Sequence, residues 1–432
     1  MSDLDFEEDK IPFDNEPIDR RPTKEVKKES RPPKKGSAFG GVSKSLLYVV
    51  CAVFAGAFFI MSYLIVDMRN SLLSLESERN SYTMNISSEG GNTSFAATKG
   101  MLSTVSISAS STNNGGNAEN FFSSAMASRG SGVIMEVNKE KGDAYIVTNF
   151  HVVCSLSTLK SYNYCWVLLW DSINPIPATY VGGSNTYDIA VLKITGSEEI
   201  KNSACQSVSV GESSKVTFGE EVVAIGNSMA RNLRATTGVV AVEEELMGTT
   251  SYSMFISHSA DVNSGNSGGG LFNANGELIG IVNAKFRDVN ESTGELIYDE
   301  VIHGMNYAIP SEIAFSVAKN IIRNNGYLLR PALGISLGNN LTYESKYYDV
   351  NEEGRGYTTY DLVVTKQTGK FRLGDRLLSM SYEFEGKTKT AELNRLFSLE
   401  SNIFNLEVGD AVTFKVDGRE FTLTIESATK VS

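Results

Sequence analysis

The chain has 432 residues, 41% of them hydrophobic, which is too long for one ordinary domain and rich enough to bury a large core. A formal net charge of −12, with no long basic run beyond residue 100, argues against nucleic acid as the main partner. No CxxC, no Cys/His zinc spacing and no calcium-loop carboxylate cluster occurs, so neither a metal nor a cofactor is implied.

Residues 1–44 are charged and interrupted by proline, with almost no aliphatic pattern. Such a stretch cannot bury enough apolar surface to order itself, and a disordered cytoplasmic tail is expected. A transmembrane helix is expected at 45–66, where Leu46 to Val66 carry no charge; at about 1.5 Å per residue the run spans roughly a bilayer core. The run is too long for a signal-peptide core and follows too long a leader, and polar flanks argue against a buried helix. Nine Lys and Arg lie between Arg20 and Lys44, and only Arg69 and Arg79 lie close by on the other side. The basic side stays cytoplasmic, so the remainder is expected outside the cell membrane, on a single-pass anchor. Residues 67–100 are dominated later by Ser, Asn and Gly and suit a stalk.

From Met101 short Val/Ile-rich runs recur, bounded by Gly, Asn, Ser or Asp: GVIMEV, AYIVTNF, IAVLKI, VVAIG, LIGIV. This texture predicts a mainly β fold, a barrel or sandwich. Long loops are expected at 108–132 and 286–305. The first helix is SEIAFSVAKNIIRNN, with Ser311 as N-cap and Gly326 as stop, and Ile313, Val317 and Ile321 on one face. A smaller α+β module follows, with strands around LVVTK, RLLSMSY, AVTFKV and EFTLTIES and a helix around TAELNRLFSLE.

Serine-based acyl transfer needs a hydroxyl, a neutral imidazole, a carboxylate that orients the imidazole, and N–H donors for the oxyanion. Ser267 lies in Asn263-Ser-Gly-Asn-Ser-Gly-Gly-Gly270, where glycines let N–H groups approach a ligand. The N–H groups of Gly265 and Ser267 are the expected oxyanion donors. His151 ends the run YIVTNFH, and Asp188 precedes IAVLKI. Singly, each has a plain alternative: a flexible Gly/Ser loop, a satisfied core histidine, a turn aspartate. Together they run His, Asp, Ser, the chain order of the chymotrypsin architecture.

Residues 101–430 resemble the HtrA (Deg) family of trypsin-like serine proteases. The resemblance is carried by GSGVI (130–134), YIVTNFHVV (145–153), YDIAVLKI (187–194), GEEVVAIGNS (219–228), ADVNSGNSGGGLFNANGELIGIV (260–282) and MNYAIPSE (305–312). It implies a chymotrypsin-like double β-barrel protease domain at 101–328, with the triad His151, Asp188 and Ser267, followed by a divergent PDZ-like domain at 329–432. Leu333, Gly334 and Ile335 would form the peptide-carboxylate loop of that domain. It further implies polypeptide substrates, misfolded or exposed outside the cytoplasm, and a homo-oligomer, a trimer. The alternative is a non-catalytic peptide-binding scaffold carrying a relic barrel.

The chain departs from the family pattern in places. Asn263-Ser264-Gly265 replaces Asn-Pro-Gly, and His258 replaces a threonine. Asp261 stands where alanine is usual. With Val262 it would line the primary specificity pocket, where a carboxylate would favour Lys or Arg before the scissile bond. Equally, Asp261 would turn away to bond loop backbone. Cys154 and Cys165 bracket a ten-residue loop on the extracytoplasmic side. A disulfide is expected there, stabilising by on the order of 2–3 kcal/mol. Cys205 would be a buried thiol.

Overall fold

The structure, a computed structural model, describes residues 92–123, 126–228, 232–246, 254–283, 305–335, 340–350 and 356–431, with isolated positions between 49 and 67. The tail at 1–44 and the expected connection at 286–305, apart from Met305, lie outside the described residues. So does most of the expected span at 45–66. Its described positions are helical, and Val49, Val53, Phe54, Met61 and Leu64 have side chains more than half exposed. Among the described residues no helix is long and apolar enough to cross a membrane.

Helical structure is already present before the expected stalk boundary at residue 100. Helix α1 (Thr93–Met101) is capped by the Asn92 side chain, which accepts from Phe95 N at 2.7 Å. Ala96 and Gly100 are buried, and Gly100 lies against Ile225 and Phe272, so the helix is part of the barrel assembly.

The first barrel takes β1 (Thr104–Ser110), β2 (Ser128–Asn138), β3 (Asp143–Thr148), β6 (Tyr164–Leu169), β7 (Ile176–Ser184) and β8 (Ile189–Ile194). It closes in the order β1-β2-β3-β8-β7-β6. The expected loop at 108–132 therefore contains strand at both ends, and a turn of helix, α2 (Ala118–Phe121), between them. Two short segments, β4 (Cys154–Ser155) and β5 (Lys160–Ser161), form a hairpin outside the barrel. Val105, Ile107, Ile134, Ile146, Ala190 and Leu192 alternate inward, as the period of a strand requires.

A short helix α4 (Glu198–Asn202) ends the first barrel; the one-turn helix α3 (Phe150–Val153) precedes it, after β3. The second barrel takes β9 (Glu221–Gly226), β10 (Arg234–Leu246), β11 (Met254–His258), β12 (Gly270–Asn273), β13 (Leu278–Asn283) and β14 (Asn306–Pro310). It closes as β10-β11-β14-β13-β12-β9.

Helix α5 (Ser311–Arg323) follows, and Pro310, not Ser311, is its capping position. Proline fits there because its fixed φ suits a helix entry and it has no N–H to leave unpaired. Asn325 and Gly326 then turn the chain through left-handed φ values of 53° and 93°.

In the C-terminal module β15 (Leu328–Pro331) pairs with β22 (Ala428–Val431). The main sheet runs β16 (Leu341–Val350), β17 (Gly356–Val364), β18 (Arg376–Phe384), β20 (Ala411–Val416) and β21 (Arg419–Thr424), with β19 (Lys387–Glu392) on the far end of β18. Helix α6 (Leu396–Ile403) starts later than expected from TAELNRLFSLE, because the front of that segment extends β19.

All eight residues of α6 are buried, including Ser398, Glu400, Ser401 and Asn402. A helix with no solvent face has to be covered on both sides. The C-terminal sheet covers one side and the barrels the other. Arg395, just before α6 and fully buried, donates to the carbonyls of Ser214 and Val216 at 3.4 and 3.2 Å. Glu244 of β10 accepts from Phe397 N at 3.1 Å. Burial pushes Glu244 up to about 7, while the Arg395 charge and the α6 N–H groups pull it down. One hydrophobic core runs continuously from Val147 and Ile225, through Ile313 and Ile321 of α5, to Phe397 and Phe414.

Candidate active site

Three peripheral segments of the barrels carry the candidate residues. β3 delivers the chain into α3, where Phe150 and Val153 anchor in the first core and leave His151 on the open side, 8% exposed. Asp188 precedes β8 with φ +49°, a region that L side chains avoid. Surrounding bonds hold it there. Its carbonyl accepts from Phe150 N at 3.1 Å and from Asn149 Nδ2 at 2.9 Å.

The Asp188 carboxylate is engaged on both oxygens. Oδ1 accepts from the backbone N of His151 at 3.0 Å. Oδ2 lies 2.7 Å from His151 Nδ1 and accepts from Asn283 Nδ2 at 3.0 Å. A carboxylate only accepts, so His151 Nδ1 carries the proton and Nε2 presents its lone pair away from Asp188. This is the tautomer a general base requires.

Ser267 sits at the turn before β12 and is 4% exposed. Its carbonyl accepts from Ser131 N at 2.8 Å, which ties the loop to β2 of the other barrel. Ser131 Oγ donates to the Gly265 carbonyl at 2.7 Å and accepts from Asn227 N at 2.7 Å. Gly268 has φ +84°, and a Cβ there would come 2.1 Å from the Ser131 carbonyl and 2.3 Å from Thr148 Oγ1. Gly130 is hemmed in between Val152 and the Ser267 carbonyl, and a Cβ on it would come within 2.6 and 2.9 Å of them. The nucleophile loop and the His151 turn therefore meet across β2. Among the described residues no hydrogen bond joins Ser267 Oγ to His151, and the N–H groups of Gly265 and Ser267 donate to no protein acceptor.

The structure thus brings His151 and Asp188 into direct contact, while Ser267 is tied through its carbonyl to Ser131 and packs near Gly130, which also lies against Val152, the neighbour of His151. Asn283 is the partner that sequence reading missed. It closes a buried β-strand as an unremarkable polar residue, and only the closure of the second barrel aims it at Asp188.

The other expected site residues fall out differently. Asp261 is exposed, and its carbonyl accepts from Thr236 Oγ1 at 2.7 Å, so no buried carboxylate awaits a basic substrate. Val262 is half-buried against the second core. Leu333 and Ile335 are buried and Gly334 takes φ +78°, while 336–339 lie outside the described residues. The expected disulfide is not formed: Cys154, Cys165 and Cys205 are all buried free thiols. The loop that follows Cys154 is instead closed by the β4–β5 hairpin. Burial pushes Cys154 up to about 11 and Cys165 up to about 12, which suppresses the thiolate that disulfide exchange needs. Burial also pushes His258 down to about 4. It lies inside the second barrel, paired with Asn306 across β11 and β14, away from the triad.

Residues 130–281 match the trypsin-like peptidase domain family. The chain is 34% identical to the serine protease Do-like HtrA of Lactococcus lactis over 221 residues, 49% of this chain and 49% of that protein. It is 34% identical to the serine protease Do-like HtrA of Bacillus subtilis over 48% of this chain and 42% of that protein. It is 28% identical to the periplasmic serine endoprotease DegP of Escherichia coli over 73% of this chain and 59% of that protein. The chain spans about half the length of the curated relatives it matches. The similarity to trypsin-like peptidases and to serine proteases of the HtrA and DegP names thus falls on the stretch that carries His151, Asp188 and Ser267.

Proposed function

We propose that this chain is a serine endopeptidase acting on exposed or misfolded polypeptides outside the cytoplasm. The observation that carries the reading is the carboxylate of Asp188 fixed on both oxygens, with its contact to His151 Nδ1 at 2.7 Å; the glycine-framed Ser267 is the nucleophile this reading assigns. Ser267 Oγ attacks the scissile carbonyl as His151 Nε2 takes its proton. The N–H groups of Gly265 and Ser267 receive the oxyanion, and His151 returns the proton to the leaving amine. Water then repeats the sequence on the acyl-enzyme. Asp188 stays ionised and fixes the imidazole.

The location outside the cytoplasm is supported by the uncharged run Leu46–Val66 and the nine basic residues before it. The C-terminal module as a PDZ-like domain is supported by its strand pattern and by the left-handed Gly334 in the proposed carboxylate loop. A trimer is proposed on the resemblance alone, and light scattering of the detergent-solubilised chain tests it. The exposed Asp261 supports an aliphatic preference before the scissile bond over a basic one. The scaffold alternative is served less well, because a relic barrel has no reason to keep Asp188 in a left-handed conformation with five donor groups around it.

The test is hydrolysis of casein by the full chain. Time-dependent cleavage that vanishes in Ser267→Ala supports the reading. An inactive but folded wild type, or equal cleavage by Ser267→Ala, removes it.

A further inference from the structure

Tyr187 immediately precedes Asp188, and both its ring and its hydroxyl are held by the C-terminal module. The hydroxyl donates to Glu400 Oε1 at 2.5 Å. The ring meets Phe404 edge-on, with centroids 5.1 Å apart and planes at 87°. Tyr187 is 4% exposed and Glu400 is fully buried. A carboxylate at that depth demands compensation, and Arg330 supplies it: Nε and Nη2 donate to the two Glu400 oxygens at 2.6 and 2.8 Å. Arg330 lies on β15 and Glu400 on α6, so the module fixes its own carboxylate and presents one oxygen to the first barrel.

The place where this oxygen arrives matters. Asp188 holds φ +49°, and the residue before it shares the peptide plane that feeds this conformation. Asp188 Oδ2 must serve His151 and Asn283 at once. A small rotation at residue 187 would carry the carboxylate off the imidazole. An ordinary domain contact would spread over apolar surface; here it ends in a charge-assisted bond one residue from the triad.

We propose that Glu400 is a positioning residue for the triad: through Tyr187 it holds the backbone from which Asp188 presents its carboxylate to His151. The C-terminal module then completes the protease site and is not only a ligand-capturing appendage. This inference rests on the peptidase reading above for its kinetic consequence, and on geometry alone for its structural one.

The experiment uses the full chain with isotope-labelled histidine. The probe is the low-field proton of the His151 Nδ1–H···Asp188 bond, assigned by its loss in His151→Gln. Tyr187→Phe keeps the ring on Phe404 and removes only the hydroxyl. It is expected to broaden or abolish that proton and to lower kcat about ten- to a hundredfold with KM little changed. The pair Arg330→Met with Glu400→Leu removes the acceptor of the Tyr187 hydroxyl together with its counter-charge, and is expected to reproduce both the loss of the proton and the fall in kcat. A merely structural contact would lower the melting temperature of Tyr187→Phe and leave proton and kcat unchanged, and that result overturns the proposal. So does a wild type that lacks the low-field proton. If wild type cleaves nothing, yet shows the proton and loses it in Tyr187→Phe, the peptidase reading fails and the positioning role stands.

Discussion

Asn283 Nδ2 and His151 Nδ1 converge on the same oxygen of Asp188, at 3.0 and 2.7 Å. Asn283 ends β13 of the second barrel, whereas His151 and Asp188 belong to the first. The carboxylate is thus aimed by both barrels, and its orientation depends on their docking.

Asn283→Ala should therefore lower kcat about tenfold and leave KM near wild type, because a group that orients the carboxylate contributes mainly in the transition state. Steady-state kinetics on a peptide substrate measure this. An unchanged kcat would show that the His151 contacts alone orient Asp188.

Gly268→Ala should be more damaging than any neighbouring small change. Its φ of +84° strains any side chain, and the added methyl would strike the Ser131 carbonyl and Thr148 Oγ1. The strain alone costs about 1–3 kcal/mol, before the backbone displacement. Circular dichroism melts and labelling by an active-site serine reagent should both fall. A variant with wild-type melting and labelling would contradict the wedged loop.

Arg330→Met alone strands the fully buried Glu400 and should cost about 3–5 kcal/mol in a denaturant titration. Adding Glu400→Gln removes the uncompensated charge and should restore most of that loss. A single variant as stable as wild type would mean that the pair contributes nothing net.

His258 contributes a pH dependence with a definite sign. Its ordinary value near 6.5 falls to about 4 in the folded protein because burial disfavours the cation. Between those values the unfolded chain binds a proton that the native state refuses. Stability is then lost as pH falls from about 6.5 to 4, by on the order of 3 kcal/mol. His258→Thr should flatten the slope over that window. An unchanged slope would place the acid sensitivity elsewhere.

The barrels are legible in the sequence because their signal is local. Runs such as IAVLKI and YIVTNF alternate or bury both faces over five or six residues, and turn residues bound them. His151, Asp188 and Ser267 stand out for the same reason, each at the edge of such a run. What failed depends on tertiary context. α1 was hidden in a Ser- and Gly-rich stretch because its helix is stabilised by Ile225 and Phe272, more than a hundred residues away. The front of TAELNRLFSLE reads as helix by propensity but pairs with β18 as strand. Asn283, Tyr187 and Glu400 carry no local mark. Their roles arise where distant segments meet, and sequence spacing holds no record of that meeting.

Mapping a fluorophosphonate probe on the full chain tests the central claim most directly, because the reagent labels only a serine that an adjacent base has activated. The peptide bearing Ser267 should carry the label in wild type, and labelling should vanish in Ser267→Ala and fall steeply in His151→Gln. A folded wild type that stays unlabelled, or one labelled on a serine other than Ser267, would contradict the assignment of His151, Asp188 and Ser267 as a working triad.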